Sequence, residues 1–301
     1  MNPTITESLP IISLVVVGYF LKRINVIHSE DGQLLTRLIL KVTLPAVIFL
    51  SVSRANVDPL NLGLLALYSF LIAITLRVLS GRIAAWLKLE PVIAGVIILG
   101  SYIMNLGTFV FPMVQTIYGH EGTSRLAAFD IGNSFMASGY GFYLASCFGN
   151  KSPCGIQSSF KKVATLPILW ALVAGLIINL TGISLPDFLV KLLTPLSAAN
   201  TPLAMISLGV FVSFRFKKWK LTVLTVFLRM GVGFLLGQAI VWVFNLQGLD
   251  RAIVTLGSAA PIGMVPMVYA ASEGLDTEFA AACISLSIIL GVIATPFLLS
   301  L

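Results

Sequence analysis

Apolar stretches long enough to cross a bilayer recur along this chain almost without pause, and no other feature restricts its fold so tightly. They fall near 4–21, 33–53, 60–79, 92–118, 123–148, 163–180, 188–214, 219–245, 250–272 and 277–300. A helix needs about 20 apolar residues to span the hydrocarbon layer, so the runs read as ten spanning helices. Outer-membrane β-barrel strands alternate apolar and polar residues over about 10 positions; these near-continuous runs exclude them. Composition agrees. The chain is 57% hydrophobic and 10% charged, against roughly 25% charged in soluble domains. A mean hydropathy of +0.99 leaves too few polar groups to cover a globular surface, so the excess apolar surface faces lipid. The expected fold class is an all-α integral membrane protein.

The net charge of +7 invites a nucleic-acid reading, which fails because the basic residues sit singly or in short groups between spans. They act instead as topology signals. The loops after helices 1, 3, 5, 7 and 9, with adjacent helix ends, hold Lys22, Arg23, Arg37, Lys41, Arg77, Arg82, Lys88, Lys151, Lys161, Lys162, Arg215, Lys217, Lys218 and Lys220. The opposite set holds Arg54, Arg125, Lys191 and Arg251. The first set is therefore cytoplasmic, with both termini outside a plasma (cell inner) membrane. The first charge is Glu7 and the pair Lys22-Arg23 follows the first apolar run, which predicts a retained span and not a cleaved signal. Cys147, Cys154 and Cys283 make an odd count and imply packing residues without a disulfide framework. His28 and His120 fall in expected loops. No HExxH or clustered Cys/His spacing suggests a metal, and no Walker loop or GxSxG elbow suggests a pump or hydrolase.

Sliding the second half over the first gives a dominant offset of 157 residues, at which Leu9-Pro10-Ile11 meets Leu166-Pro167-Ile168, Gly18 meets Gly175 and Pro45 meets Pro202. Leu99-Gly100-Ser101 meets Leu256-Gly257-Ser258 in the same register, and Pro112-Met113-Val114 meets Pro266-Met267-Val268 at offset 154. Anchors in register over so long a stretch point to duplication. Each half holds five spans, an odd number, so the copies insert in opposite orientations, an arrangement typical of secondary transporters. The expected organisation is a first five-helix repeat over 1–148, a cytoplasmic linker over 149–162 and an inverted second repeat over 163–301.

Helices 4 and 9 are expected to break. Helix 4 carries Asn105, Gly107, Thr108 and Pro112; helix 9 carries Gly257, Ser258, Pro261, Gly263 and Pro266. Each proline lacks an N–H and clashes with the carbonyl four residues back, at Thr108, Gly257 and Ile262, which frees backbone groups at membrane depth. Irregular backbone is tolerated there only when buried in protein or lining a wet cavity. A duplicated pair of breaks is thus the best pointer to a midplane site, and half-helix N-termini, each worth about +0.5 charge, suit an anion. Pro45, Pro195 and Pro202, with Asn200, suggest bends in helices 2 and 7.

Two ionisable residues lie well inside spans, Asp130 in helix 5 and Arg229 in helix 8; such groups default to functional hypotheses. Helical spacing puts Asn133, Ser134, Ala137 and Ser138 on the face of Asp130, a small polar face turned inward. Asp130 serves coupling or substrate binding, or pairs with Arg229; Arg229 is otherwise an anion ligand. The sequence gives no distance that decides. Asn179 and Gln238 read as interhelical hydrogen-bonding residues.

At these residues the chain resembles the auxin efflux carrier family, which includes bacterial malate and malonate permeases and sits near the bile-acid symporter group. The matching pieces are Leu38 to Phe49, Asn105-Leu-Gly-Thr-Phe-Val-Phe-Pro112, Thr201 to Gly209 and Ala260-Pro-Ile-Gly-Met-Val-Pro266 through Ala270. The resemblance implies a ten-helix carrier of two inverted repeats, with crossing broken helices 4 and 9 at the substrate site and an elevator-like transport of organic anions. It also implies that Asn105 helps to hold a substrate carboxylate. The second half departs from the family pattern by offering Ile262, Gly263 and Met264 where many members have an asparagine.

The expected function is therefore a secondary carrier for a small organic anion, auxin-like or dicarboxylic, with substrate residues Asn105, Gly107, Thr108, Pro112, Ser258, Pro261, Gly263 and Pro266. Asp130, Asn133 and Arg229 are candidates for proton or sodium coupling or for an ion pair. No cofactor is expected, and the partners are the anion, the lipid bilayer and, by family analogy through helices 2 and 7, a second copy in a homodimer. A ligand-gated channel or a membrane sensor of the same anion is the alternative. An intramembrane enzyme lacks paired catalytic acids or a metal cluster within the spans.

Overall fold

The computed structural model describes residues 3–55, 58–150, 167–213 and 218–299. Most of the linker expected over 149–162 lies outside them, as do the start of the sixth span at 163–166, Cys154, Leu166 and the basic residues Lys151, Lys161, Lys162, Arg215 and Lys217. Among the described residues the chain is helical throughout, and its one β feature is an isolated antiparallel bridge between Met104 and Ile262.

The helices are α1 (Pro3–Arg23), α2 (Ser29–Leu38), α3 (Leu44–Arg54), α4 (Pro59–Trp86), α5 (Pro91–Tyr102), α6 (Phe111–Ser134) and α7 (Gly141–Phe148). After the interval at 151–166 come α8 (Pro167–Thr181), α9 (Asp187–Phe211), α10 (Trp219–Val226), α11 (Gly233–Val243), α12 (Gly248–Ser258), α13 (Val265–Glu273) and α14 (Thr277–Leu298). Several boundaries follow directly from local chemistry. Asp58 caps α4 by accepting from the Leu60 N–H at 3.0 Å, with Pro59 in the first turn where its missing donor does no harm. Asp276 caps α14 in the same way through the Phe279 N–H at 2.9 Å. Gly119, at φ +56°, turns the chain inside α6, which is why the expected fourth and fifth spans separate there.

Among the described residues, five stretches are long and apolar enough to cross a membrane: Asp31–Arg54, Leu60–Trp86, Asp187–Phe211, Trp219–Val243 and Thr277–Leu298. Their outward faces stay apolar, with Trp86, Phe188 and Trp242 at least 77% exposed. Water would oppose such a surface; lipid accommodates it, and the chain is an integral membrane protein.

Among the described residues four single π-turns interrupt the helices, at Ile39–Thr43, Leu106–Val110, Phe135–Tyr140 and Phe227–Val232. Each inserts an extra residue and turns side chains toward new neighbours, a device common at functional sites. Helix α9 runs unbroken through Pro195 and Pro202. Cys283 is a free, buried thiol, as a packing residue should be, but Cys147 is disulfide-bonded. That corrects the expectation that all three cysteines only pack; hydropathy and spacing could not report a covalent partner. His120 stays exposed, as expected, but follows the Gly119 turn within α6, and its Nδ1 lies 3.2 Å from the Ser51 hydroxyl.

Candidate functional site

The two expected breaks lie against each other. Helix α5 ends at Tyr102 and helical structure resumes at Leu106; helix α12 ends at Ser258 and α13 begins at Val265. The extended residues between them pair across the gap. The Asn105 N–H donates to the Pro261 carbonyl at 2.9 Å, and the Gly263 N–H donates to the Ile103 carbonyl at 2.9 Å, on either side of the Met104–Ile262 bridge. Unwound backbone buried among apolar side chains needs partners inside the protein, and here each break supplies them to the other.

Side chains satisfy the remaining amides. Asn133 Oδ1 accepts from the Met104 N–H at 3.0 Å, and Ser287 Oγ accepts from the Ile262 N–H at 3.1 Å. The Asn133 amide then donates to Asp130 Oδ1 at 2.8 Å, and Ser134 Oγ donates to Asp130 Oδ2 at 3.3 Å. Asp130 is only 4% exposed, so its carboxyl is tied through Asn133 to the crossing itself.

A cavity of about 720 Å³ opens beside the crossing. Asn105, Gly107, Thr108, Asp130, Asn133 and Gly263 line it, together with Thr36, Leu40, Lys41, Met264 and Tyr269. Asn105 is 3% exposed; its Oδ1 accepts from Thr108 Oγ1 at 2.5 Å, while its Nδ2 has no hydrogen-bond partner. A buried amide donor without an acceptor is destabilising by about 1–3 kcal/mol, unless something in the cavity accepts from it. The N-termini at Leu106 and Val265 have no side-chain cap, and both border this cavity through Gly107, Thr108 and Val265. Their free N–H ends favour negative charge.

Pro112, Ser258, Pro261 and Pro266 are not among the described lining residues. Pro112 and Pro266 stand buried in the first turns of their half-helices, where proline fits, and the breaks fall ahead of them. Pro261 contributes its carbonyl to the crossing. Ser258 is fully buried and hydrogen-bonds the Thr255 carbonyl at 3.1 Å. Arg229 does not meet Asp130, and no ion pair joins them among the described residues. Its guanidinium donates instead to the Ala260 carbonyl at 3.2 Å and to the Ser258 carbonyl. Those oxygens are the ones that the break leaves without helical donors, so Arg229 closes the C-terminal end of α12.

Lys41 was counted above with the topology-setting charges. It sits instead on the Ile39–Thr43 π-turn, inside the Asp31–Arg54 span, and lines the cavity. Its depth was the available signal: eight residues past the start of the apolar run at 33 is too far in for a loop charge.

The sequence profile of a family described as "Membrane transport protein" matches residues 3–299. The chain belongs to this family. It is the auxin efflux carrier and permease family whose motifs the sequence carries, and it is a family of transporters, not of enzymes. Among curated proteins, an uncharacterized transporter of Methanothermobacter thermautotrophicus is 31% identical over 295 residues, covering 96% of this chain and 95% of the relative. An uncharacterized transporter of Methanocaldococcus jannaschii is 27% identical over 286 residues, covering 91% of each chain. The uncharacterized transporter YfdV of Escherichia coli K12 is 23% identical over 301 residues, covering 97% of this chain and 95% of its own. The protein is a membrane transporter of this family.

Proposed function

We propose that this transporter is a secondary carrier of a small organic anion, which it binds in the cavity beside the crossing and releases by alternating access. The observation that carries the reading is the unpartnered Asn105 Nδ2, buried in a cavity that two uncapped half-helix N-termini also border. An amide donor and two positive helix ends converge where a carboxylate would accept from them. The anion would be of the auxin-like or dicarboxylic type, and Asp130, tied to the crossing through Asn133, is the group we assign to ion coupling.

Alternating access needs two halves that exchange roles, and contacts at the 157-residue offset support ten spans in two inverted repeats. Gly18 packs against the Ile206 carbonyl, and its counterpart Gly175 packs against the Phe49 carbonyl, where a Cβ would lie 3.2 Å away. Lys22 Nζ donates to the Val212 carbonyl at 3.1 Å, while Asn179 Nδ2 donates to the Ala55 carbonyl at 2.7 Å. Thr43 Oγ1 donates to Asn200 Oδ1 at 3.0 Å, so these two positions face each other directly. Within the proposed architecture the halves cover 1–148 and 163–301, the basic loops lie in the cytoplasm and both termini lie outside.

Counterflow tests the reading. Labelled malate, malonate, indole acetate or a bile acid is taken up into proteoliposomes preloaded with the same compound unlabelled. Saturable uptake stimulated by internal substrate is expected of one organic anion. Rapid flux that internal substrate does not stimulate would indicate a channel, and binding without flux a sensor.

A further inference from the structure

We propose that Lys41 is the counter-ion of the carried carboxylate and limits the cavity to anions of a single charge. The proposal rests on the carrier reading above and narrows its two substrate types to the singly charged, auxin-like one. Lys41 lies ten positions from Asp31 in the continuous Asp31–Arg54 span, roughly 15 Å along the helix at 1.5 Å per residue. A basic side chain at that depth is costly unless it works or is paired. Lys41 is exposed to the cavity and has neither a hydrogen bond nor an ion pair among the described residues.

The π-turn explains its direction. The extra residue at Ile39–Thr43 shifts the helical register, and Leu40 and Lys41 both reach the cavity wall. This turn packs beside the second π-turn at Leu106–Val110, since a Cβ on Gly107 would lie 3.0 Å from a Leu40 methyl. Lys41, next in the chain to Leu40, lines the same cavity as Asn105. The cavity thus offers one ammonium and one amide donor without a partner, a pairing suited to the two oxygens of one carboxylate.

The charge limit follows from what else lines the cavity. Lys41 is the only basic residue among its described lining, and the one acid, Asp130, already accepts from Asn133 and Ser134. Much of the remaining wall is Leu40, Ile103, Met104, Met264, Val265 and Val268. An apolar substrate body fits against these side chains. With Lys41, Asn105 and the helix ends engaged by the first carboxylate, a second would meet these side chains without a second cation, and burying such a charge is strongly unfavourable.

The test measures binding and counterflow for matched compounds: phenylacetate, its uncharged analogue phenylacetamide, and the dicarboxylates malonate and succinate. Binding is read from the ligand concentration that stabilises purified protein against heat. Phenylacetate is expected to bind the wild type more tightly than either dicarboxylate. Lys41→Gln should weaken phenylacetate by about tenfold or more, the loss of one charge-assisted hydrogen bond, and leave phenylacetamide unchanged. Lys41→Arg should retain most of the affinity. Because the amide control reads the same cavity without the charge, a general disturbance of the fold would weaken both compounds and overturn the proposal. Equal phenylacetate binding by wild type and Lys41→Gln would overturn the counter-ion role and leave the carrier reading intact. Preference for a dicarboxylate would overturn the charge limit. If the wild type neither binds nor exchanges any carboxylate, the carrier reading fails and this proposal fails with it.

Discussion

Replacing Arg229 by methionine separates a structural role from ligand binding. The guanidinium is fully buried and donates to the Ser258 and Ala260 carbonyls at the broken end of α12. Hydrogen bonds to charged groups contribute about 1.5–3 kcal/mol each, so two are worth roughly 3–6 kcal/mol. Methionine has a similar reach and removes the desolvation cost of the guanidinium, which offsets part of that sum. A net destabilisation of about 2–4 kcal/mol remains, because both carbonyls lose their donor inside the protein. At about 2–4 °C per kcal/mol, the midpoint of thermal unfolding in detergent should fall by on the order of 5–15 °C. Arg229→Lys keeps the charge but offers one nitrogen in place of the two that now serve the carbonyls, and should fall between. Scanning fluorimetry reads the stability, and counterflow on the folded fraction reads function. The expected result is lower stability with the half-saturating anion concentration unchanged. An unchanged melting midpoint together with weakened anion binding would refute the capping argument and make Arg229 a ligand.

Asn133→Leu removes the acceptor of the Met104 N–H and the donor to Asp130; transport should be lost and stability reduced by about 1–3 kcal/mol, measured by counterflow and thermal unfolding. Gly18→Ala places a Cβ against the Ile206 carbonyl, whereas Gly63 has nothing within 4 Å of that position. The first substitution should destabilise by about 1–3 kcal/mol through overpacking and Gly63→Ala should not, a contrast that equal melting midpoints would contradict. Burial opposes ionisation of Asp276, but the Lys218 hydrogen bond at 2.5 Å and the Phe279 N–H outweigh it and hold the carboxyl below the usual range. A lowered carboxyl stabilises above its unfolded pKa, and that stabilisation is lost as pH falls through the folded value. Asp276→Ala should therefore be about 1 kcal/mol less stable than wild type near neutrality, with the gap closing below about pH 4.

The parts of this arrangement that depend on a residue's own chemistry were legible in the sequence. Proline and glycine announce where helices 4 and 9 fail, and helical spacing puts Asn133 and Ser134 on the face of Asp130, where they hydrogen-bond it. Asn105 stands out because an amide beside a break is conspicuous in an apolar span, and it lies at the crossing. What depends on a partner distant in sequence was not legible. Depth singles out Arg229 and the helix 9 break singles out Ser258, yet the two meet each other at the end of α12, outside the described cavity lining. The π-turns leave no trace in hydropathy, since one inserted residue alters direction without altering composition. That is why Lys41 passed for a topology charge, although its position within the apolar run already set it apart. The disulfide at Cys147 was missed for a related reason: an odd cysteine count argues only about frameworks.

The claim that joins these observations is that the cavity at the crossing is the transport site and that the free amide of Asn105 holds the anion there. Counterflow with Asn105→Ala, on protein whose melting midpoint matches the wild type, tests it most directly. The variant exposes no buried charge; it removes a donor that has no partner within the protein and the acceptor of one Thr108 hydroxyl bond, so the fold should persist while the half-saturating anion concentration rises by about tenfold or more. Counterflow indistinguishable from wild type would contradict the account and move the substrate away from the crossing.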